Sequence, residues 1–189
     1  MRGQSRAEPA AYAAGANLSQ TFSPSPAACG IRLRLAFPFA SHSLSPRLHN
    51  ALFKFLEIEG SYEAIEVKSG ELAQFFTDRA DQFDYLSLTM PLKEEALALN
   101  VSIDEATRRI QSANTLVNVK ESWNLSSTDG SGFIQALAHK GLHEFSSVLI
   151  LGAGGTARAV AGALDDVSKV ITVLGRSSTR EDALANAIQ

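Results

Sequence analysis

Hydrophobic and polar positions begin to alternate at Ile31 and continue to Phe37, the pattern of a strand with one face turned inward. Ser45 and Pro46 then open a helix, with Ser45 suited to the N-cap and Pro46 to the first helical position. Leu48, Leu52, Phe53 and Leu56 give that helix an apolar stripe, and Gly60 marks its end. Tyr62–Val67 alternates as a second strand, and Glu71–Arg79 is a helix with Leu72, Phe75 and Phe76 inward. Tyr85–Met90 is a third strand, and Pro91 starts a helix running to Leu99. Ala106–Ser112 reads as a short helix, Leu116–Val119 as a strand, and Ser131–Lys140 as a helix. After Ser147, Val148–Leu151 is a short unbroken apolar run, the pattern of a strand covered on both faces. A helix over Thr156–Leu164 and a strand over Lys169–Leu174 follow. Strands alternating with helices argue an α/β fold with mostly parallel sheet and right-handed crossovers.

Residues 1–30 stand apart from this pattern. They are rich in Ala, Ser, Pro and Gly, bury too little apolar surface to offset ordering entropy, and read as a disordered tail or the product of an upstream start. Arg2 and Arg6 are followed by no apolar stretch long enough for a secretory signal. The net charge of −3 leaves no basic footprint, so nucleic acid is not an expected partner. No run approaches the roughly 18 apolar residues of a membrane helix. The single cysteine, Cys29, excludes a disulfide framework and a thiolate metal cluster, and fits a cytoplasmic location. No metal is expected.

Gly152, Ala153, Gly154, Gly155, Thr156 and Ala157 form a G-x-G-x-x-A turn between a strand and a helix. That context makes it a dinucleotide fingerprint. Gly152 allows the tight turn, Gly154 the approach of a pyrophosphate, and Ala157 close helix–strand packing, with the helix N-terminus facing the phosphates. The next strand ends without an acidic residue and runs into Arg176, Ser177, Ser178, Thr179 and Arg180. A guanidinium fork suits a 2′-phosphate, so the expected cofactor is NADP, held in addition by Arg176, Ser177 and Arg180. The competing reading leaves both arginines solvated.

Four polar clusters lie where strands meet helices: Ser41 to Asn50, Ser87 to Lys93, Ser112 to Thr115, and Ser127 to Gly130. In open α/β sheets ligands bind outside the carboxyl ends of strands. Hydroxyls, an amide, one ammonium and one carboxylate suit a small polyhydroxylated anion. The order of the stretches at 42–46, 88–93, 112–115, 127–130 and 152–157, with Arg176 after them, resembles the shikimate dehydrogenase family over roughly residues 32–180. The resemblance implies reduction of 3-dehydroshikimate to shikimate with NADPH, in the route to chorismate and the aromatic amino acids. It implies that Ser43 and Ser45 hold the substrate carboxylate and that Thr89 lies beside the substrate. Asn114 and Asp129 bind its hydroxyls, and Lys93, paired with Asp129, serves proton transfer as the catalytic pair. Each residue alone has a plainer reading: Ser45 or Asp129 as a helix cap, Lys93 as a solvated helix lysine. The joint pattern favours the site.

The resemblance divides the chain into the tail 1–30, a substrate-binding domain at 31–128, and a partial Rossmann NADP-binding domain at 129–189. Some positions depart from the family pattern. Leu92 stands where a histidine is usual, Ser127 where an asparagine is usual, and Phe37 to Ala40 replaces a glycine-containing turn. The chain stops at Gln189, after two strands of the nucleotide unit, where family members run longer. The expectation is therefore a chain that is poorly soluble and nearly inactive alone, as a monomer or homodimer. A non-catalytic remnant, an NAD-dependent quinate/shikimate dehydrogenase and, less closely, a methylene-tetrahydrofolate-type dehydrogenase are the competing readings.

Overall fold

The computed structural model describes residues 31–37 and 43–187. The expected tail at 1–30 and the departure at Pro38 to Ala40 lie outside them. Strand β1 (Ile31–Phe37) runs parallel to β2 (Gly60–Glu66) on one side and β3 (Tyr85–Leu88) on the other. β5 (Thr115–Val119) is antiparallel to β3 and to β6 (Ser122–Ser126), and β4 (Ser102–Ile103) is parallel to β6. The resulting sheet has the order β2-β1-β3-β5-β6-β4, and a separate parallel pair is formed by β7 (Val148–Leu151) and β8 (Ile171–Leu174). The fold is α/β as expected, but the first sheet is mixed, and β4 and β6 were not anticipated. Lys120 and Glu121, both at positive φ (50° and 66°), make the two-residue turn between β5 and β6. Such turns are usually written with Asn or Gly, so this one carries no sequence signal.

Helix α1 (Ser45–Phe55) connects β1 to β2, and α2 (Leu72–Arg79) connects β2 to β3. α3 (Leu92–Glu95), continued by a 3₁₀ turn at Ala96–Ala98, and α4 (Glu105–Ile110) precede the hairpin. α5 (Asp129–Ala138) leads to β7, α6 (Gly155–Leu164) joins β7 to β8, and α7 (Ser178–Ala187) closes the described chain without having been anticipated. Leu72, Phe83, Leu86, Leu92, Leu116 and Leu125 form the buried centre of the large sheet. Trp123 meets Phe83 and Phe76 edge-on, at ring separations of 5.4 and 5.2 Å. Burial of each large apolar side chain contributes about 1.5–3 kcal/mol, which makes this cluster the main source of stability in that layer.

Several local expectations are corrected. The N-cap of α1 is Leu44 and not Ser45, because the Ser43 hydroxyl accepts the Ser45 N–H at 3.2 Å and the turn starts earlier. The helix ends at Phe55, with Glu57 at φ 55° reversing the chain, and Gly60 belongs to β2. Its apolar stripe is largely open: Leu48 is 68% exposed, and Leu52 and Leu56 about half, since no element among the described residues lies over it. Contact with the sheet runs instead through His49, stacked on Tyr62 at 4.2 Å, and Asn50, which exchanges two 2.9 Å hydrogen bonds with the Tyr62 backbone. β7 is covered on one face only. Leu151 is 77% exposed, because α6 and α7 pack on the opposite side and nothing described covers the other.

Candidate active site

The strand directions bring four chain segments to one edge of the large sheet. β1 and β3 are parallel, so the chain leaves both at the same end, toward Ser43 and Thr89. β5 is antiparallel to β3 and starts at that end, with Ser87 opposite Thr115. β6 finishes there, with Ser126 opposite Thr115, and leads directly to Asp129. The Leu88 N–H donates to the Asn114 carbonyl at 2.8 Å and the Ala113 N–H to the Lys93 carbonyl at 2.8 Å, which ties the loops together.

At this edge the Lys93 ammonium donates to an Asp129 carboxylate oxygen, and the two side chains are only 12% and 20% exposed. The other Asp129 oxygen accepts from Asn114 Nδ2 at 2.8 Å. Asn114 is held by the Thr128 N–H, which donates to its Oδ1 at 2.9 Å, and by the Thr115 hydroxyl at 2.8 Å. Lys93 also donates to Thr156 Oγ1 at 3.1 Å. Asp129 is the first residue of α5, yet its carboxylate turns to Lys93 and Asn114, and Thr128 occupies the N-cap. The structure thus joins Lys93, Asp129, Asn114 and Thr156 in one network. Thr89 is half-buried on the same edge, its carbonyl accepting from the Leu92 N–H at 2.8 Å. Ser43 and Ser45 are half-buried beyond β1 and bond to each other, with no hydrogen bond to the Lys93 network.

The glycine turn meets this network at close range. A Cβ at Gly155 would lie 2.7 Å from Ser112 Oγ and 3.2 Å from Lys93 Cβ, so only glycine lets α6 approach the lysine. Gly152 takes φ 117°, and a Cβ at Gly152 or Gly154 would meet nothing within 4 Å. That open space lets a ligand reach the backbone at the N-terminus of α6, as a pyrophosphate requires. Ala157 packs with Ala153, Ala161 and Leu184 between the β7–β8 pair and its helices. Arg176 and Ser177 are exposed after β8, whereas Arg180 is 3.8 Å from Glu94, next to Lys93 in the chain.

Two acidic groups were not anticipated here. Glu94 engages Arg180, and Glu181 accepts the Gly175 N–H. Neither stands at the position along the sequence, the end of the second strand, where an acidic residue is sought in a dinucleotide site. Among the described residues, three buried side chains carry polar atoms without a hydrogen-bond partner: Ser112 Oγ, Ser127 Oγ, and Nε and Nη1 of Arg158. The small cavity between α4, α5 and α6, lined by Ile110, Ser127, Gly130 and Gly162 among others, contains none of the Lys93 network. Among the described residues no helix is long and apolar enough to cross a membrane.

Residues 36–116 match the family model described as the shikimate dehydrogenase substrate binding domain. The chain is 37% identical over 147 residues to the shikimate dehydrogenase (NADP(+)) of Hyphomonas neptunium, covering 77% of this chain and 54% of that one. It is 40% identical over 147 residues to the enzyme of that name from Methanothrix thermoacetophila, again covering 77% and 54%. A crystal structure of the Thermus thermophilus shikimate 5-dehydrogenase, with NADP(H) and shikimate, superposes with a TM-score of 0.76 at 34% identity. That superposition covers 84% of this chain and 60% of the other. The chain spans little more than half the length of these relatives.

Proposed function

We propose that the chain, whose residues 36–116 match the substrate-binding domain of shikimate dehydrogenases, is a member of that family, binds shikimate and 3-dehydroshikimate, and serves their NADP-linked interconversion. The observation that carries this reading is the Lys93–Asp129 pair, largely shielded from water and bonded through Lys93 to Thr156 in the glycine turn. Hydride transfer to a ketone leaves negative charge on its oxygen. Lys93 stabilises that charge and delivers the proton, while Asp129 orients the amine. Asn114, fixed by Thr115 and Thr128, presents its amide and Asp129 to the hydroxyls of the ring. Ser43 and Ser45 receive the carboxylate, and Thr89 borders the ring. The residues present fit the dinucleotide: the turn 152–157 is open at Gly152 and Gly154, and Arg176, Ser177 and Arg180 supply donors past β8. Bound NADPH supplies the hydride. The substrate-binding domain at 31–128 and a nucleotide unit beginning at 129 are part of the same reading, as is a cytoplasmic location.

The test is the rate of NADP+ reduction with shikimate, together with shikimate titration, in the wild type and in Lys93→Ala. Turnover that falls by about 10²–10⁴ in the variant supports Lys93 as the proton-transfer group. Equal rates, or a wild type that neither binds nor turns over shikimate, would end the reading. A second possibility, shikimate binding without turnover, is favoured by the bare apolar face of β7 at Leu149 and Leu151. Binding of shikimate with no NADP+ reduction selects it.

A further inference from the structure

The end of β8 holds a carboxylate that no spacing rule anticipates. Gly152 donates its N–H to the Leu174 carbonyl at 2.7 Å, which sets Gly175 directly beside the glycine turn. Glu181, in the first turn of α7, folds back so that its carboxylate accepts the Gly175 N–H. A Cβ at Gly175 would lie 3.3 Å from Glu181 Oε1 and 3.6 Å from Ala153 Cβ. Gly175 therefore leaves room for a carboxylate at the junction of β8 and the turn. In dinucleotide sites this junction receives the adenosine ribose. An acid there accepts from the 2′-OH of NAD, and a cation there takes the 2′-phosphate of NADP. The acid normally follows the turn by about 20 residues, on the strand end itself. Here it comes from the next helix and reaches the same place through space.

Two cations stand near it in the chain, Arg176 and Arg180. Arg180 is adjacent in the chain but lies 3.8 Å from Glu94. Arg176 is exposed and enters no ion pair among the described residues. The basic groups suited to a 2′-phosphate thus share their surroundings with two carboxylates, one of them seated on the strand end.

We propose that Glu181 is a specificity-determining residue of the dinucleotide site, a negative charge at the ribose end that opposes the 2′-phosphate and narrows the preference for NADP over NAD. This rests on the dinucleotide reading of the turn 152–157. Glu181→Gln keeps the acceptor for the Gly175 N–H and the packing while removing the charge, so it separates charge from structure. Kd values for NADP+ and NAD+ are measured by calorimetric titration of the full chain and of Glu181→Gln. NADP+ is expected to bind about tenfold more tightly to the variant, the scale of removing one like charge near a phosphate in partly exposed surroundings. NAD+ is expected to change less than about threefold, since an amide oxygen still accepts from the 2′-OH. Glu181→Lys is expected to raise the NADP+ to NAD+ affinity ratio further. Affinities that move together in both variants, leaving the ratio unaltered, or a ratio that falls, overturn the role of Glu181 while NADP+ binding stands. A wild type and variants that bind neither dinucleotide overturn this proposal and the dinucleotide reading together.

Discussion

Lys93 and Thr156, 63 positions apart, share a 3.1 Å hydrogen bond that joins α3 to the first turn of α6. The hydroxyl accepts from the same ammonium that binds Asp129. Thr156→Val removes that acceptor at nearly constant volume. A hydrogen bond to a charged group contributes about 1.5–3 kcal/mol, so NADP+ reduction with shikimate is expected to slow by about tenfold or more. Steady-state kinetics on the variant checks it, and an unchanged rate would show that Thr156 does not orient the lysine.

Asn114 organises the other side of Asp129. Its amide donates at 2.8 Å to the carboxylate and its oxygen receives the Thr128 N–H. Asn114→Ala is expected to weaken shikimate binding by about tenfold and leave NADP+ affinity within about twofold. Titrations with each ligand decide the matter, since parallel losses would mean that the substitution disturbs the whole fold.

Gly130 carries a packing requirement. A Cβ there would stand 2.6 Å from the Ala159 carbonyl oxygen and 2.9 Å from Ala163 Cβ, both on α6. Neither the backbone nor the short alanine can swing aside. Gly130→Ala is expected to destabilise the protein by about 1–3 kcal/mol, read as a lower midpoint in thermal or urea unfolding. A midpoint equal to that of the wild type would contradict this geometry.

Tyr62 sets an alkaline limit. Burial, the largest influence, raises its pKa above the usual value near 10, against a lowering hydrogen bond to Ser87. The folded state then holds the phenolic proton more tightly than the unfolded state. The contribution is fully present below about pH 10 and is lost as pH rises above it. Tyr62→Phe is expected to flatten the decline of stability above pH 10, as measured by urea unfolding at successive pH values. The same slope in both proteins would assign the decline to other groups.

The legible parts of this chain are those whose chemistry is local. The turn at 152–157 announced itself because its glycines sit between an apolar run and a helix, and the structure indeed has β7 and α6 on either side. The alternation at 31–37 and the inward Leu72 and Phe75 were likewise readable from spacing. The convergence of Lys93 with Asp129 was accessible only through resemblance, because strand order decides which loops share an edge. The β5–β6 hairpin stayed hidden behind Lys120 and Glu121, which adopt positive φ without the residues that usually mark it. Glu181 was missed for a related reason: it reaches the end of β8 from a neighbouring helix, and no linear spacing encodes that approach. The apolar stripe of α1 was read correctly as a stripe, but its burial depends on a neighbour that the pattern cannot name.

The contact at Gly130 bears on how the molecule can move. With α5 and α6 in backbone contact at Ala159, and Gly162 pressed against Ile110 of α4, the three helices interlock like cogs and cannot slide along one another. Any parting of Lys93 from the glycine turn is then a tilt about this locked seam, with the widest travel at the parts farthest from it.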